Sequence, residues 1–149
     1  MHKPLFIVTQ ESFIQEEPIV DEQHHGVLAA INSLHYFLQQ GQGLEVLMPT
    51  VKICMSYMLF HGRTEEGILR AANYPDLDAY IENYQQVTVD FKAVCKDAIL
   101  NREPDLVLVF LRQWWQSHVE LHEEIAPLIA EINGQYCRLD EREKYTKKK

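Results

Sequence analysis

The chain has 149 residues, of which 46% are hydrophobic and 24% are charged, and these values are ordinary for one globular domain with a continuous core. Its formal net charge of -8 argues against a surface for nucleic acid or for an anionic membrane, since such partners require basic stripes. The three cysteines form no CxxC pair, which argues against a disulfide framework and a zinc ribbon. The first ten residues contain too short an apolar stretch for a signal peptide, so a reducing cytoplasm is expected.

The first half of the chain predicts an extended arm followed by two helices. Residues 1–18 carry no helical period and are expected to form an N-terminal arm that lies over the rest of the fold. Apolar residues recur at three-to-four spacing from about residue 19 to 40, and the glycines within 41–43 then break the helix. The second helix is predicted from about 44 to 72. It is interrupted or started afresh near Pro49, because proline is poorly tolerated in a helix interior.

The second half of the chain predicts two further helices. The third runs from about residue 76 to 101, after an Asn-Tyr-Pro-Asp turn. The fourth begins near Pro104, while Pro127 is expected to end or bend it and Gly134 to close a short helical extension. Four helices joined by short turns predict an all-α fold, an antiparallel up-down four-helix bundle that residues 19–149 form as a single domain.

Imidazoles and carboxylates recur at helical spacing on three of these helices. His24 lies on the first helix, whereas His118 and His122 are four positions apart on the last. His61 and Glu65 are also four apart, so both point the same way, about 6 Å apart along the helix axis. Donors on separate helices that face a common core can form a metal site. The predicted inner stripe of the second helix is Ile53, Tyr57, His61, Glu65 and Ile68.

Four short motifs follow one another along the chain. They are Asp21-Glu22-Gln23-His24, His61-Gly62-Arg63-Thr64-Glu65-Glu66, Tyr74-Pro75 and Trp114-Trp115-Gln116-Ser117-His118-Val119. In these motifs and their order, the chain resembles the hemerythrin family, including its bacterial members, over nearly its whole length. The resemblance implies a four-helix bundle around two irons that a glutamate and an aspartate bridge. Carried over by motif, His24 and His61 would bind the iron that is open to dioxygen, Glu65 would be one bridge, and His118 would bind the other iron.

The chain also departs from the family pattern. Tyr80 and Tyr84 stand where the family carries a His-x-x-x-His pair, and Glu123 stands in place of the bridging aspartate. His122 is an additional imidazole, one turn beyond His118. A phenolate is a hard donor that suits Fe(III) better than Fe(II), but a phenol with a pKa of about 10 must first lose its proton. The candidate metal ligands are His24, His61, Glu65, Tyr80, Tyr84, His118, His122 and Glu123.

Three occupancies of this site are open at the level of sequence. In the first, two ions persist in a rearranged shell that includes one or both tyrosines. In the second, one ion is held by a smaller set, and the tyrosines only hydrogen-bond to it. This set is His24, His61, Glu65 and either Glu123 or His118. In the third, no metal binds and the tyrosines fill the cavity, which would leave a costly group of buried polar side chains. The expected cofactor is iron, as one or two ions, with an oxo or hydroxo bridge in the two-ion case.

The sequence therefore predicts a non-haem iron protein that binds or senses dioxygen or a related small oxidant, and a binding protein rather than an enzyme. Its expected partner is the small oxidant, with no nucleic acid and no membrane. Two alternatives are a diiron oxidase or peroxidase that uses a tyrosine beside the cluster, and a metal-free interaction bundle whose site has decayed. The sequence does not predict the oligomeric state.

Overall fold

The computed structural model describes the backbone of residues 18–146 and the side chains of residues 19–128. Within these ranges it contains four helices and no strand, which confirms the all-α class and is consistent with a helical bundle. The helices are α1 (Pro18–Gln39), α2 (Leu44–Ala71), α3 (Leu77–Asn101) and α4 (Asp105–Thr146). The arm predicted for residues 1–18 lies outside the described residues except for Pro18, which opens α1. None of the described helices combines the length and the hydrophobicity needed to cross a membrane.

The three connections between helices share one construction. Each contains a residue with positive φ, namely Gly41 at 82°, and Asn73 and Arg102 at 54°. In each connection an amide donates a hydrogen bond to the carbonyl five residues earlier: Gln42 to Phe37, Tyr74 to Leu69, and Glu103 to Ala98. This is the Schellman arrangement, which satisfies carbonyls that a helix end leaves open. The helix breaks predicted near residues 41, 73 and 102 are confirmed.

Two prolines that were expected to interrupt helices do not do so. Helix α2 runs continuously through Pro49, and α4 runs through Pro127 and past Gly134. Proline removes the hydrogen bond to the carbonyl four residues earlier, which belongs to Glu45 in α2 and to Glu123 in α4. Both of these residues are exposed, so water can bond to the carbonyls that lose a partner. The predicted break at Pro49 is therefore wrong. The residues after Pro127 are helical, as expected for an extension, but they continue α4 without an end at Pro127 or at Gly134.

The buried face of α2 differs from the predicted stripe in the first half of the helix. Ile53 and Tyr57 are 52% and 40% exposed, whereas His61 and Glu65 are fully buried. Four residues turn a helix by about 400°, so repeated steps of four move the stripe about 40° further round the helix each time. Residues that are alternately three and four positions apart stay on one face of the helix. The residues that α2 buries are Leu44, Leu47, Val51, Cys54, Met58, His61, Gly62, Glu65 and Leu69.

A polar layer separates two apolar clusters in the core. In the larger cluster, the buried residues of α2 extend as far as Met58 and those of α4 as far as Trp115. The smaller cluster contains Leu69, Tyr80 and Ile125. Between them, α2 and α4 each bury ionisable side chains instead of apolar ones. Charged and polar groups at such depth need partners, since their burial without partners is unfavourable. The polar layer is therefore the feature of the fold that requires a functional explanation.

Candidate metal centre

Four imidazoles and one carboxylate meet in the polar layer. Their potential ligand atoms all lie within 4.8 Å of one another, and all five residues are buried. Three helices supply them: α1 gives one histidine, α2 gives a histidine and the glutamate, and α4 gives two histidines. The five residues are His24, His61, Glu65, His118 and His122. The two pairs on α2 and α4 are each four residues apart, so each pair shares one face of its helix.

The spacing between the donor atoms fits a shell around one ion. The Nε2 atoms of His24, His61 and His118 form a triangle with sides of 2.9, 3.1 and 2.9 Å. The Nε2 atom of His122 lies 2.9 Å from that of His118. Glu65 Oε1 lies 2.7 Å from His61 Nε2 and also contacts His122 Nε2. Two atoms that each lie about 2.1 Å from one ion, at right angles, are about 3.0 Å apart.

Hydrogen bonding among the imidazoles cannot account for this arrangement. A ring nitrogen either carries a hydrogen and donates, or carries a lone pair and accepts. Three nitrogens in mutual contact cannot all hydrogen-bond to one another, because at least two of them must be of the same kind. Glu65 Oε1 makes no well-aligned hydrogen bond within the described part of the chain, although it is fully buried. A cation between these atoms would satisfy the three nitrogens and the oxygen together, so the residues fit a metal ion.

The orientation of His61 is fixed by a residue to which the sequence assigned no role. The carbonyl oxygen of Gln23 lies 3.0 Å from His61 Nδ1 and can only accept, so Nδ1 carries the ring hydrogen and Nε2 keeps its lone pair for a metal. The Gln23 amide nitrogen donates to Thr64 Oγ1 at 2.9 Å. Thr64 in turn donates to the Phe60 carbonyl at 3.2 Å. The sequence offers no signal for this role, because the spacing of Gln23 does not distinguish it from its neighbours on α1.

Replacing Gln23 with leucine is expected to weaken metal binding by about 10- to 100-fold, because the His61 ring loses the contact that sets its tautomer. Gln23→Glu keeps an acceptor oxygen and should retain most of the affinity. Competition with a chromophoric chelator measures both variants against Gln86→Leu, which alters an exposed glutamine of α3 that bonds to Asp90. Unchanged affinity in Gln23→Leu would contradict the role given to this residue.

The two tyrosines occupy different positions relative to the cluster. The Tyr80 hydroxyl donates to Glu65 Oε2 at 2.5 Å, on the side of the carboxylate away from the histidines. The Tyr84 hydroxyl donates to the Met58 carbonyl at 2.6 Å, and its ring packs on Gly62. Burial and the charge of Glu65 raise the pKa of both phenols above its usual value. Only Tyr80 reaches the cluster, and it does so as a hydrogen-bond donor to Glu65.

The structure does not bring Glu123 to the cluster. This residue is exposed, and it is absent from the group of donors that meet in the core. It follows His122 directly, and adjacent residues of a helix point about 100° apart. Because His122 faces the core, Glu123 faces away from it. His122, and not Glu123, is the second residue of α4 in the group of donors.

Three members of the cluster have shifted pKa values that suit a metal site. Burial lowers the pKa of His24 to about 3 and that of His118 to about 4, so both rings are neutral at pH 7. Burial alone would raise the pKa of the Glu65 carboxyl, but the imidazoles of His118 and His61 outweigh this effect and hold it well below its usual range. His24 and His118 therefore offer neutral nitrogen donors and Glu65 offers a carboxylate, and protons do not compete for these three residues near neutral pH.

The metal-free chain is expected to lose stability as the pH falls below 6.5. His24 and His118 bind protons near pH 6.5 when unfolded but only near pH 3 to 4 when folded, so the unfolded state takes up more protons in this window. At pH 5 the loss is about 2 kcal/mol for each histidine. Urea denaturation in the presence of a chelator, at pH 7, 6 and 5, measures it. Equal stability at pH 7 and pH 5 would contradict the expectation.

Two clefts approach the cluster from the surface. One lies between α2 and α3, has a volume of about 190 Å³ and is lined by Gly62, Tyr80 and Tyr84 among others. The other lies between α3 and α4, has a volume of about 250 Å³ and is lined by Trp114 and His118 among others. Trp114 stacks on His118 with ring centroids 5.0 Å apart. The second cleft therefore brings small molecules to one of the five donors, His118, whereas the first reaches Tyr80, which bonds to Glu65.

Comparison with protein-family models, with curated proteins and with solved structures gives no match for this chain. The relation to the hemerythrins stays a prediction that rests on the four motifs of the sequence. The cluster itself does not depend on that relation. Its five donors are defined by their own positions and burial.

Proposed function

We propose that this chain is a hemerythrin-like, non-haem iron protein that binds or senses dioxygen or a related small oxidant. The observation that carries the proposal is the convergence of four imidazoles and one carboxylate within 4.8 Å in the buried layer of a helical fold. We also propose that the helices alternate in direction, as short connections at 40–43, 72–76 and 102–104 favour in bundles. The buried, unpaired thiols of Cys54 and Cys95 are compatible with the reducing cytoplasm expected from the sequence.

The donor geometry favours one ion over two. Ions of a two-metal site lie about 3.5–4 Å apart, so donors on opposite sides of such a pair are about 8 Å apart. All five donors here are closer than 4.8 Å to one another, and opposite donors around one ion would be about 4.2 Å apart. The arrangement supports the one-ion reading, with His118 and His122 both included and Glu123 left out.

The chemistry of the donors supports iron. The set contains imidazole nitrogens and a carboxylate oxygen but no thiolate, which suits first-row ions such as Fe(II). Donors around a tetrahedral zinc would be about 3.4 Å apart, whereas the nitrogen contacts of 2.9–3.1 Å match the right angles of a six-coordinate ion. Iron is also the metal that the resemblance to hemerythrins implies. Bound iron would supply one-electron redox chemistry and a position for a small ligand.

The roles of the protein groups follow from their positions. His24, His61, His118 and His122 would hold the ion, and Glu65 would offset part of its charge in a layer that excludes most water. Gln23 orients His61, and Trp114 covers one face of His118. The apolar clusters on either side hold the three ligand-bearing helices together. The chain would thus present one buried ion, beside two clefts that α3 borders, to a molecule of the size of dioxygen.

Metal analysis of chain reconstituted anaerobically with Fe(II) tests the proposal, because about one iron per chain is expected. Exposure to dioxygen should then change the visible absorption of the iron-loaded protein and leave that of the iron-free protein unchanged. A value near two irons per chain would restore the two-ion reading. Less than about a tenth of an equivalent would reject the metal function.

An oxidase or peroxidase is the second candidate, and one observation favours it: the Tyr80 phenol is hydrogen-bonded to a proposed ligand of the iron. An enzyme would consume many equivalents of hydrogen peroxide in the presence of a reductant, whereas a binding protein reacts once per iron. The same iron-loaded sample distinguishes the two functions when peroxide consumption is followed over time. Sustained turnover that falls in Tyr80→Phe would favour the enzyme.

A further inference from the structure

The two oxygens of Glu65 have different surroundings. Oε1 faces the histidines, with His61 Nε2 at 2.7 Å and His118 Nε2 at 3.4 Å. Oε2 accepts the hydrogen bond from the Tyr80 hydroxyl at 2.5 Å. The side chain of Glu65 has no exposed surface, so these contacts fix which oxygen faces the metal position. One oxygen of the carboxylate, Oε1, therefore faces the proposed metal position, and the other, Oε2, faces the phenol of Tyr80.

This division matters because a carboxylate can bind an ion through one oxygen or through both. Four imidazole nitrogens and Oε1 make five donors, and a six-coordinate ion would then have one position left for an external ligand. If Oε2 also bound the ion, the protein alone would fill the shell. The state of one oxygen therefore decides whether the ion can take a small molecule.

We propose that Tyr80 is a positioning residue that keeps Glu65 bound through Oε1 alone and thereby reserves one coordination position for a small ligand. This inference rests on the proposed metal function and extends it to a residue that does not itself touch the metal position. Its ligand class is a small molecule or anion with a lone pair, such as dioxygen or azide. The expected role differs from phenolate ligation, because the phenol acts on the carboxylate and not on the ion.

The surroundings of Tyr80 suit a fixed donor. The Tyr80 ring is buried in the smaller apolar cluster with Leu69 and Ile125. The hydroxyl therefore cannot rotate away from Glu65 without disrupting that packing. The cleft between α2 and α3 passes beside the ring and gives a ligand a route towards this side of the cluster.

Tyr84 provides a matched control on the same helix. It lies four residues after Tyr80, is also largely buried, and lines the same cleft. Its hydroxyl bonds to the Met58 carbonyl and not to Glu65. Replacing either tyrosine with phenylalanine removes one buried hydroxyl, but only Tyr80→Phe releases Oε2 of the carboxylate.

Azide titration of Fe(III)-loaded protein, followed by visible absorption, tests the inference. We expect azide to bind the wild type and Tyr84→Phe with similar affinity, and to bind Tyr80→Phe at least about tenfold more weakly. Iron content and iron affinity of Tyr80→Phe should be equal to or higher than those of the wild type, since the carboxylate can then use both oxygens. A general structural defect would instead weaken iron and azide binding together.

Azide binding by Tyr80→Phe equal to that of the wild type, at full iron content, would overturn the inference. If Tyr80→Phe does not fold, X-ray absorption of the wild type gives a second test. Spectra that change on addition of azide, with one light-atom ligand exchanged, support the inference, whereas a wild-type shell that takes no azide overturns it. Absence of iron from the wild type and both variants would instead reject the proposed metal function.

Discussion

Replacing Glu65 with glutamine is expected to lower the affinity for Fe(II) roughly a thousandfold, which corresponds to about 4 kcal/mol. Glu65 is the only anionic member of the five-donor cluster, and it is fully buried. An amide keeps the size of the side chain but removes the charge that offsets the cation in a layer with little water. Competition with a chelator of known iron affinity measures the change.

The control for this substitution is Glu66→Gln, one position further along α2. Glu66 pairs with Arg70 at 3.0 Å on the exposed side of the helix, and this surface pair contributes little to stability. It also lies about 100° round the helix from Glu65, away from the cluster. Iron affinity within about threefold of the wild type is expected for Glu66→Gln. Equal affinities for the two variants would mean that Glu65 does not bind the ion.

Loading the chain with Fe(II) is expected to raise its melting temperature by about 8–16 °C. A ligand present at a thousand times its dissociation constant stabilises the folded state by about 4 kcal/mol, and each kcal/mol shifts the midpoint by about 2–4 °C in a domain of this size. The reason for so large an effect is the polar layer, whose donors face one another and gain a common partner when the ion enters. Differential scanning calorimetry with and without iron, under anaerobic conditions, measures the shift, and a strong chelator should reverse it.

Two histidine variants show whether the stabilisation arises in the cluster. His61→Ala removes a donor that contacts two other imidazoles and Glu65, so iron should no longer raise its melting temperature by more than about 2–4 °C. His25→Ala removes an exposed imidazole next to a proposed ligand and should respond to iron as the wild type does. A full shift in His61→Ala would place the stabilising ion elsewhere in the protein.

The sequence was sufficient to predict the helices and most of the residues that meet in the buried cluster. Helix boundaries follow from local signals, so the breaks near Gly41 and Asn73 agree with the structure to within one or two residues. The pairs formed by His61 with Glu65 and by His118 with His122 were also predictable, because residues four apart share a helix face whatever the tertiary packing. The packing of α1, α2 and α4 brings these two pairs and His24 to the same place in the core, and this the sequence does not show.

The predictions that failed concern side chains whose direction around the helix, or whose height along it, decides what they contact. Glu123 was expected to replace a bridging carboxylate, but a single-residue offset from His122 turns it to the surface. Tyr80 and Tyr84 both face inward, as predicted, yet a rise of about 6 Å along α3 separates a hydroxyl that reaches Glu65 from one that reaches a backbone carbonyl. Such differences depend on the height and direction of side chains, which a periodic pattern does not specify.

The role of Gln23 was missed for a different reason. A glutamine in the first turns of a helix normally faces solvent, and nothing in its spacing distinguishes it from its neighbours. Its function depends on two hydrogen bonds that link α1 to α2, one to Thr64 and one to His61, and Thr64 is held in turn by the Phe60 carbonyl. Supporting contacts of this kind orient metal ligands in proteins and are made by residues that carry no metal-binding signature themselves.

The most direct test of the central claim is an anomalous-scattering map of crystals of the iron-loaded protein, recorded at the iron absorption edge. We predict one peak in the polar layer, within about 2.0–2.3 Å of the Nε2 atoms of the four histidines and of Glu65 Oε1. Two peaks about 3.5 Å apart would contradict the single-ion site. A core without a peak, or with a peak bound by other residues, would contradict the claim that these five side chains hold a metal.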